Sequence, residues 1–113
     1  MLEERAHEFF EIDCPCPYML MIPTVRDGKR DVIPATTHVD GTSRLQTVTR
    51  ARNGKFYDLI ERFGELTGVP VLLNTSFNIA GEPIVETPED AIKCFTSTSI
   101  DALLIDDVLL LKR

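Results

Sequence analysis

Residues 54–78 read GKFYDLIERFGELTGVPVLLNTSFN, and their reading decides the fold. Phe56, Leu59, Ile60, Phe63 and Leu66 recur at i, i+3, i+4 and i+7, so Gly54 to Thr67 is predicted to be an amphipathic helix. Gly68 closes it, glycine being the residue that most readily takes the left-handed conformation past a helix end. Val69-Pro70-Val71-Leu72-Leu73 is then a short continuous apolar run, which predicts a strand buried on both faces. Proline near its start is tolerated. A helix feeding a buried strand points to an α/β or α+β chain.

Downstream, Thr87-Pro88-Glu89-Asp90 has the order of a helix start, with Thr as N-cap, Pro at the first helical position and acids in the first turn. That helix is expected to carry Ala91, Ile92 and Phe95 to the core. Ala102 to Ile105 and Val108 to Leu111, separated by Asp106-Asp107, predict two short strands or a hairpin. Upstream, Leu2, Ala6, Phe9 and Phe10 predict a helix with no N-cap residue ahead of it, a hint of a larger protein. Tyr18 to Val25 reads as a strand ending in the turn Arg26-Asp27-Gly28-Lys29, and Leu45 to Thr49 as a second strand. Between them, Ile33 to Thr42 is too irregular for anything but a loop. The expectation is one domain over residues 1–113, with at least four strands.

The 113 residues are 43% hydrophobic and 27% charged, which excludes disorder, collagen-like repeats and coiled coil. No apolar run is long enough for a membrane helix, and the acidic start MLEERAHEFFEID is no signal peptide, so a cytoplasmic protein is the default. Cys14, Cys16 and Cys94 are odd in number, which suits a reducing compartment. With only His7 and His38 beside them they lack the paired spacing of a zinc site, and no metal site is expected. The net charge of −6 argues against a nucleic-acid binder. Its distribution is uneven: Gly41 to Tyr57 contains Arg44, Arg50, Arg52 and Lys55 and no acid. A cationic island on an acidic chain fits a small anion, phosphate or nucleotide, better than a polymer.

The polar segment Asn74-Thr75-Ser76-Phe77-Asn78 comes off the carboxyl end of the predicted strand 69–73, where ligands of open α/β sheets bind. No His or Lys in the loop stands ready to activate Thr75 or Ser76, so these are read as hydrogen-bonding groups and not as nucleophiles. The alternative is an Asx or Ser turn that merely caps the strand.

PATTHVDGTSRLQTV (34–48) and PVLLNTSFNIAGEPIVETPEDAIKCF (70–95) closely resemble the C-terminal domain of the O-carbamoyltransferases that modify antibiotics and nodulation factors. LEERAHEFF at the start and Asp101-Ala102-Leu103 with Leu109-Leu110-Leu111-Lys112 at the end also fit. The resemblance implies a YrdC-like twisted mixed sheet with helices, truncated on its N-terminal side. It further implies that Ser76-Phe77-Asn78 is the family's Ser-x-Asn motif and that Arg44 is its arginine between the HVDGT loop and the next strand. Arg44, Ser76 and Asn78 would then be catalytic, and Asn74 and Thr75 would join them in binding ligand. The implied substrates are carbamoyl phosphate and ATP with Mg²⁺, joined into a carbamoyl-adenylate. An N-terminal transferase domain of the same polypeptide, carrying its own metal ion, would pass the carbamoyl group to a hydroxyl. His38 and Asp40 are candidates to assist. The alternatives are a non-catalytic interaction module of the same fold and a threonylcarbamoyl-adenylate synthase-like domain.

Overall fold

Leu2, Ala6, Phe9 and Phe10 are all buried, but the helix is shorter than expected: a 3-10 turn at Glu3–Arg5 runs into α1 (Ala6–Phe9), Leu2 and Phe10 flank it in extended conformation, and Leu2 packs in a different cluster from the other three. Neither turn has a side-chain cap. The start of the chain is held by backbone instead. The Met1 amine donates to the Gln46 carbonyl at 2.9 Å, Val48 N–H donates to the Met1 carbonyl, and Glu3 N–H to that of Val48. Leu2 and Val48 thereby form a parallel bridge.

Tyr18 to Val25 and Leu45 to Thr49, expected as strands, pair only at isolated bridges: Met21 with Leu45, Thr24 with Thr42, and Val25 with Phe10. The reason lies in the interruptions. Pro23 has no N–H to give, Met19 sits at φ 55, and the Asp40-Gly41 turn cuts the partner segment short. The polar groups that the pairing buries are satisfied nonetheless. Ser43 Oγ donates to the Thr36 carbonyl, while Thr47 Oγ1 donates to Glu3 and accepts from Cys16 N–H.

The second helix, α2 (Gly54–Thr67), has the predicted bounds. Asn53 caps it by accepting from Phe56 N–H, and Gly68 ends it at φ 77, its N–H on the Gly64 carbonyl. Its buried face differs from the predicted one. Ile60 and Gly64 are buried, whereas Leu59, Phe63 and Leu66 face solvent. Gly64 is the cause: Pro70 presses so close that a Cβ on residue 64 would lie 2.8 Å from the proline Cβ, and the Ile60–Gly64 row becomes the contact. The run 69–73 is therefore extended chain packed on α2 and on the N-terminal core, without a strand partner, and Leu73 is exposed.

Thr87 caps the third helix, α3 (Pro88–Ser97), in a full capping box: its hydroxyl accepts from Asp90 N–H while the Asp90 carboxylate accepts from Thr87 N–H. Ala91, Cys94 and Phe95 are buried, and Ile92 is turned outward. Strands β1 (Ala102–Ile105) and β2 (Val108–Leu111) pair antiparallel, Ala102 with Leu111 and Ile105 with Val108. Asp106 takes φ 51 in the two-residue turn.

The computed structural model describes all residues, 1–113, and the chain divides into two compact units, Met1–Leu73 and Asn74–Arg113. The first is centred on Phe9, Phe10, Val25 and Leu45, with Leu2, Val48 and Ile60 as a second cluster. The second unit packs Ala91, Phe95 and Leu103 against Phe77, Val85 and Leu110. The mixed helix and strand class holds, and the regular sheet is smaller than expected: one antiparallel pair in place of at least four strands. No helix is long and apolar enough to cross a membrane. All three cysteines are free.

Candidate functional site

In the first unit the HVDGT loop folds on itself. Gly41 N–H donates to the His38 carbonyl at 2.9 Å and His38 N–H to that of Thr42 at 2.8 Å, with Gly41 at φ 82 making the turn possible. The Asp40 carboxylate accepts from both the hydroxyl (2.7 Å) and the N–H (2.9 Å) of Thr42. These two bonds, the hydroxyl first, hold the Asp40 carboxyl below the usual carboxylate range. Thr42 Oγ1 also lies 2.9 Å from His38 Nδ1. The hydroxyl has one proton, and Asp40 receives it, so Nδ1 must be the donor to Thr42. His38 therefore has a partner in its own segment, the hydroxyl four residues on.

The cationic island separates into roles. Arg50 is neutralised: it pairs with Asp58 and, at 2.9 Å, with Glu61 of α2, and its guanidinium lies 4.4 Å from the Tyr57 ring centroid. Arg52 donates to Tyr18 Oη at 3.4 Å and has no carboxylate partner. Arg44 is exposed, and its one hydrogen bond runs from Nε to the Met19 carbonyl at 3.3 Å.

In the second unit Asn74, Thr75 and Ser76 are exposed, and Thr75 Oγ1 donates to the Ser76 carbonyl at 3.2 Å. Phe77 is drawn into the core. Asn78 is half-buried and its amide is engaged, donating to the carbonyls of Ile79 and Glu82, both at 3.1 Å. Together with the bond from Glu82 N–H to the Ile79 carbonyl and with Gly81 at φ 88, this closes a turn, so Asn78 holds the shape of the loop. Next to it is a cavity of about 330 Å³ whose lining includes Asn78, Glu82, Glu86, Asp90, Lys93 and Cys94. Its three carboxylates outnumber its one lysine, which already pairs with Glu82 at 3.4 Å. Such a lining repels phosphate. Ser76 is not part of it.

The sequence-predicted residues thus fall in two groups: Arg44 beside the HVDGT loop in one unit, and Asn74, Thr75, Ser76 and Asn78 in the other. Thr42 and Tyr18 were missed. For Thr42 the available signal was the Asp-Gly turn, which brings residues 38 and 42 across from each other.

Residues 1–112 match the family described as carbamoyltransferase C-terminus. Nodulation protein NolNO of Sinorhizobium fredii is 47% identical across 100% of this chain and 17% of its own length. Nodulation protein NolO of Bradyrhizobium diazoefficiens is likewise 47% identical, over 99% of the chain and 21% of its own length. An uncharacterised protein of Methanocaldococcus jannaschii is 37% identical over 100% of the chain and 19% of its own length. The chain spans about a fifth of the length of these relatives.

Proposed function

The chain belongs to the carbamoyltransferase C-terminal family, and from that premise we propose that it serves an O-carbamoyltransferase by binding carbamoyl phosphate and ATP with Mg²⁺ for formation of a carbamoyl-adenylate. Carbamoyl phosphate first loses inorganic phosphate to water, leaving carbamate; a carbamate oxygen then bonds to the α-phosphorus of ATP as the bond to pyrophosphate breaks and pyrophosphate departs. Charge grows on phosphoryl oxygens throughout, so the step needs placed cations and hydrogen-bond donors and no protein nucleophile. Transfer to a hydroxyl acceptor, and the metal ion serving it, are assigned to a further domain of the enzyme.

The observation that carries the reading is the state of Arg44. In an island where Arg50 is consumed by two carboxylates, Arg44 is exposed at the end of the HVDGT loop, tied only to a backbone carbonyl. A guanidinium so anchored presents two parallel N–H groups to a phosphate, a geometry that lysine lacks. Ser76 is proposed to donate a neutral hydrogen bond from this exposed loop, and Thr75, whose hydroxyl proton goes to the Ser76 carbonyl, to do so only once it gives up that bond. Asn78 acts by holding that loop in shape. Asn74 stands beside them.

The test is calorimetric titration of the chain with ATP·Mg²⁺ and with carbamoyl phosphate, repeated on Arg44→Lys and Arg50→Gln. Binding weakened about tenfold in the first variant and little changed in the second is expected. Equal effects, or no heat with either ligand in the wild type, would refute the reading.

A further inference from the structure

The bridges Met21–Leu45 and Thr24–Thr42 share one antiparallel register, which sets Ile22, between them, opposite Arg44. Side chains alternate across such a pair, so Ile22 and Arg44 share its outward face, with the exposed Leu20 just beyond it. The exposures agree: Leu20 is 83% and Ile22 62% exposed, while Leu45 on the opposite face is buried. Tyr18 precedes them and is 70% exposed, unusual for a ring held by a specific contact. Its hydroxyl accepts from Arg52, whose guanidinium lies 5.8 Å from the ring centroid. One residue further on, the Met19 carbonyl anchors Arg44. The two arginines of the island that lack carboxylate partners are therefore both tied to the dipeptide Tyr18-Met19. Arg50, which has carboxylates, is tied elsewhere.

An exposed aromatic ring flanked by apolar side chains and bordered by two uncompensated guanidiniums suits a ligand that is flat and apolar at one end and multiply anionic at the other. We propose that this face is a nucleotide-binding surface, with the Tyr18 ring stacking on the base and Arg44 and Arg52 holding the phosphates. The proposal rests on the reading of the chain as nucleotide-binding and adds to it the groups that read the base. Stacking on an aromatic side chain tolerates any base, so the surface on its own grips nucleotides without selecting among their bases. Arg52 lies against the ring and bonds its hydroxyl, which restrains Tyr18 before ligand arrives and lowers the entropy lost on binding.

ATP and inorganic tripolyphosphate, which carries the charge without the base, are titrated calorimetrically into the wild type and into Tyr18→Ala, Tyr18→Phe and Arg52→Met. Tyr18→Ala is expected to weaken ATP by about tenfold or more and to leave tripolyphosphate within about twofold. Tyr18→Phe keeps the stacking face and most of the ATP affinity, whereas Arg52→Met weakens both ligands. If the wild type binds both ligands and Tyr18→Ala changes neither, or both alike, Tyr18 does not read the base and the proposal fails while the nucleotide-binding reading stands. Absence of binding by either ligand to the wild type overturns that reading and the proposal with it. Tyr18 is mostly exposed, so its variants retain the fold, checked by coincident thermal melts.

Discussion

The amino group of Met1 makes a quantitative demand on the stability of the 113-residue chain. Burial lowers its pKa from 8.0 to about 6, because the neutral amine can enter the core beside the Gln46 carbonyl at far less cost than the ammonium. Between these values the unfolded chain binds the proton and the folded chain does not, so stability rises with pH. It is greatest above pH 8 and is lost as pH falls through 6. With the pKa at about 6 in place of 8.0 the full effect saturates at about 3 kcal/mol, of which about 2 kcal/mol separates pH 8 from pH 5. Urea unfolding at fixed ionic strength across that range, on the free and the Nα-acetylated chain, isolates the amine from every other titrating group. Acetylation keeps one N–H for Gln46 and removes the titration. Whatever the acetyl group itself costs in space is an offset at all pH values, so the difference between the two curves should slope by about 2 kcal/mol. A constant difference would show that the Met1 amine reaches water and that the burial argument is wrong.

Gly64→Ala gains about 1 kcal/mol of helix propensity but drives a Cβ to 2.8 Å from Pro70 Cβ and 3.2 Å from its Cα, an overpacking cost of about 1–3 kcal/mol, so the melting temperature should fall; a rise would mean that 69–73 yields freely. Asn78→Ala removes both bonds that close the 79–82 turn and should speed amide exchange at Glu82 and Val85 about tenfold while leaving the exchange of α2 alone. Unchanged exchange would show that Gly81 alone sets the turn. Thr42→Val deletes the hydroxyl shared by His38 and Asp40, and the Asp40 carboxyl, followed by carbon-detected NMR titration, should move up toward the ordinary carboxylate range. No movement would place the cause elsewhere.

The parts of the fold legible in the sequence were those whose signals are local. Both ends of α2, the capping box of α3 and the β1–β2 hairpin are set by residues within a few positions of one another. Which face of α2 is buried depends on Pro70 meeting Gly64, and whether 18–25 and 45–49 become strands depends on partners some twenty residues apart. Periodicity cannot see either, because a strand is completed by its neighbour and apolar spacing says only that a face is available. The site follows the same logic. The cationic island was visible as composition, but its members differ by what each is tied to. The acids at 58 and 61, one helical turn apart on α2, take Arg50 out of play, and no acid reaches Arg44 or Arg52. Asn78 shows the converse. Its amide is satisfied by the turn it closes, and a side chain already spending its donors on carbonyls one and four residues away contributes most by fixing the shape of that turn. Charge and hydrogen-bonding capacity left over after the fold is satisfied, more than motif membership, is the ground on which we propose Arg44 and the Ser76 hydroxyl as ligand-binding groups.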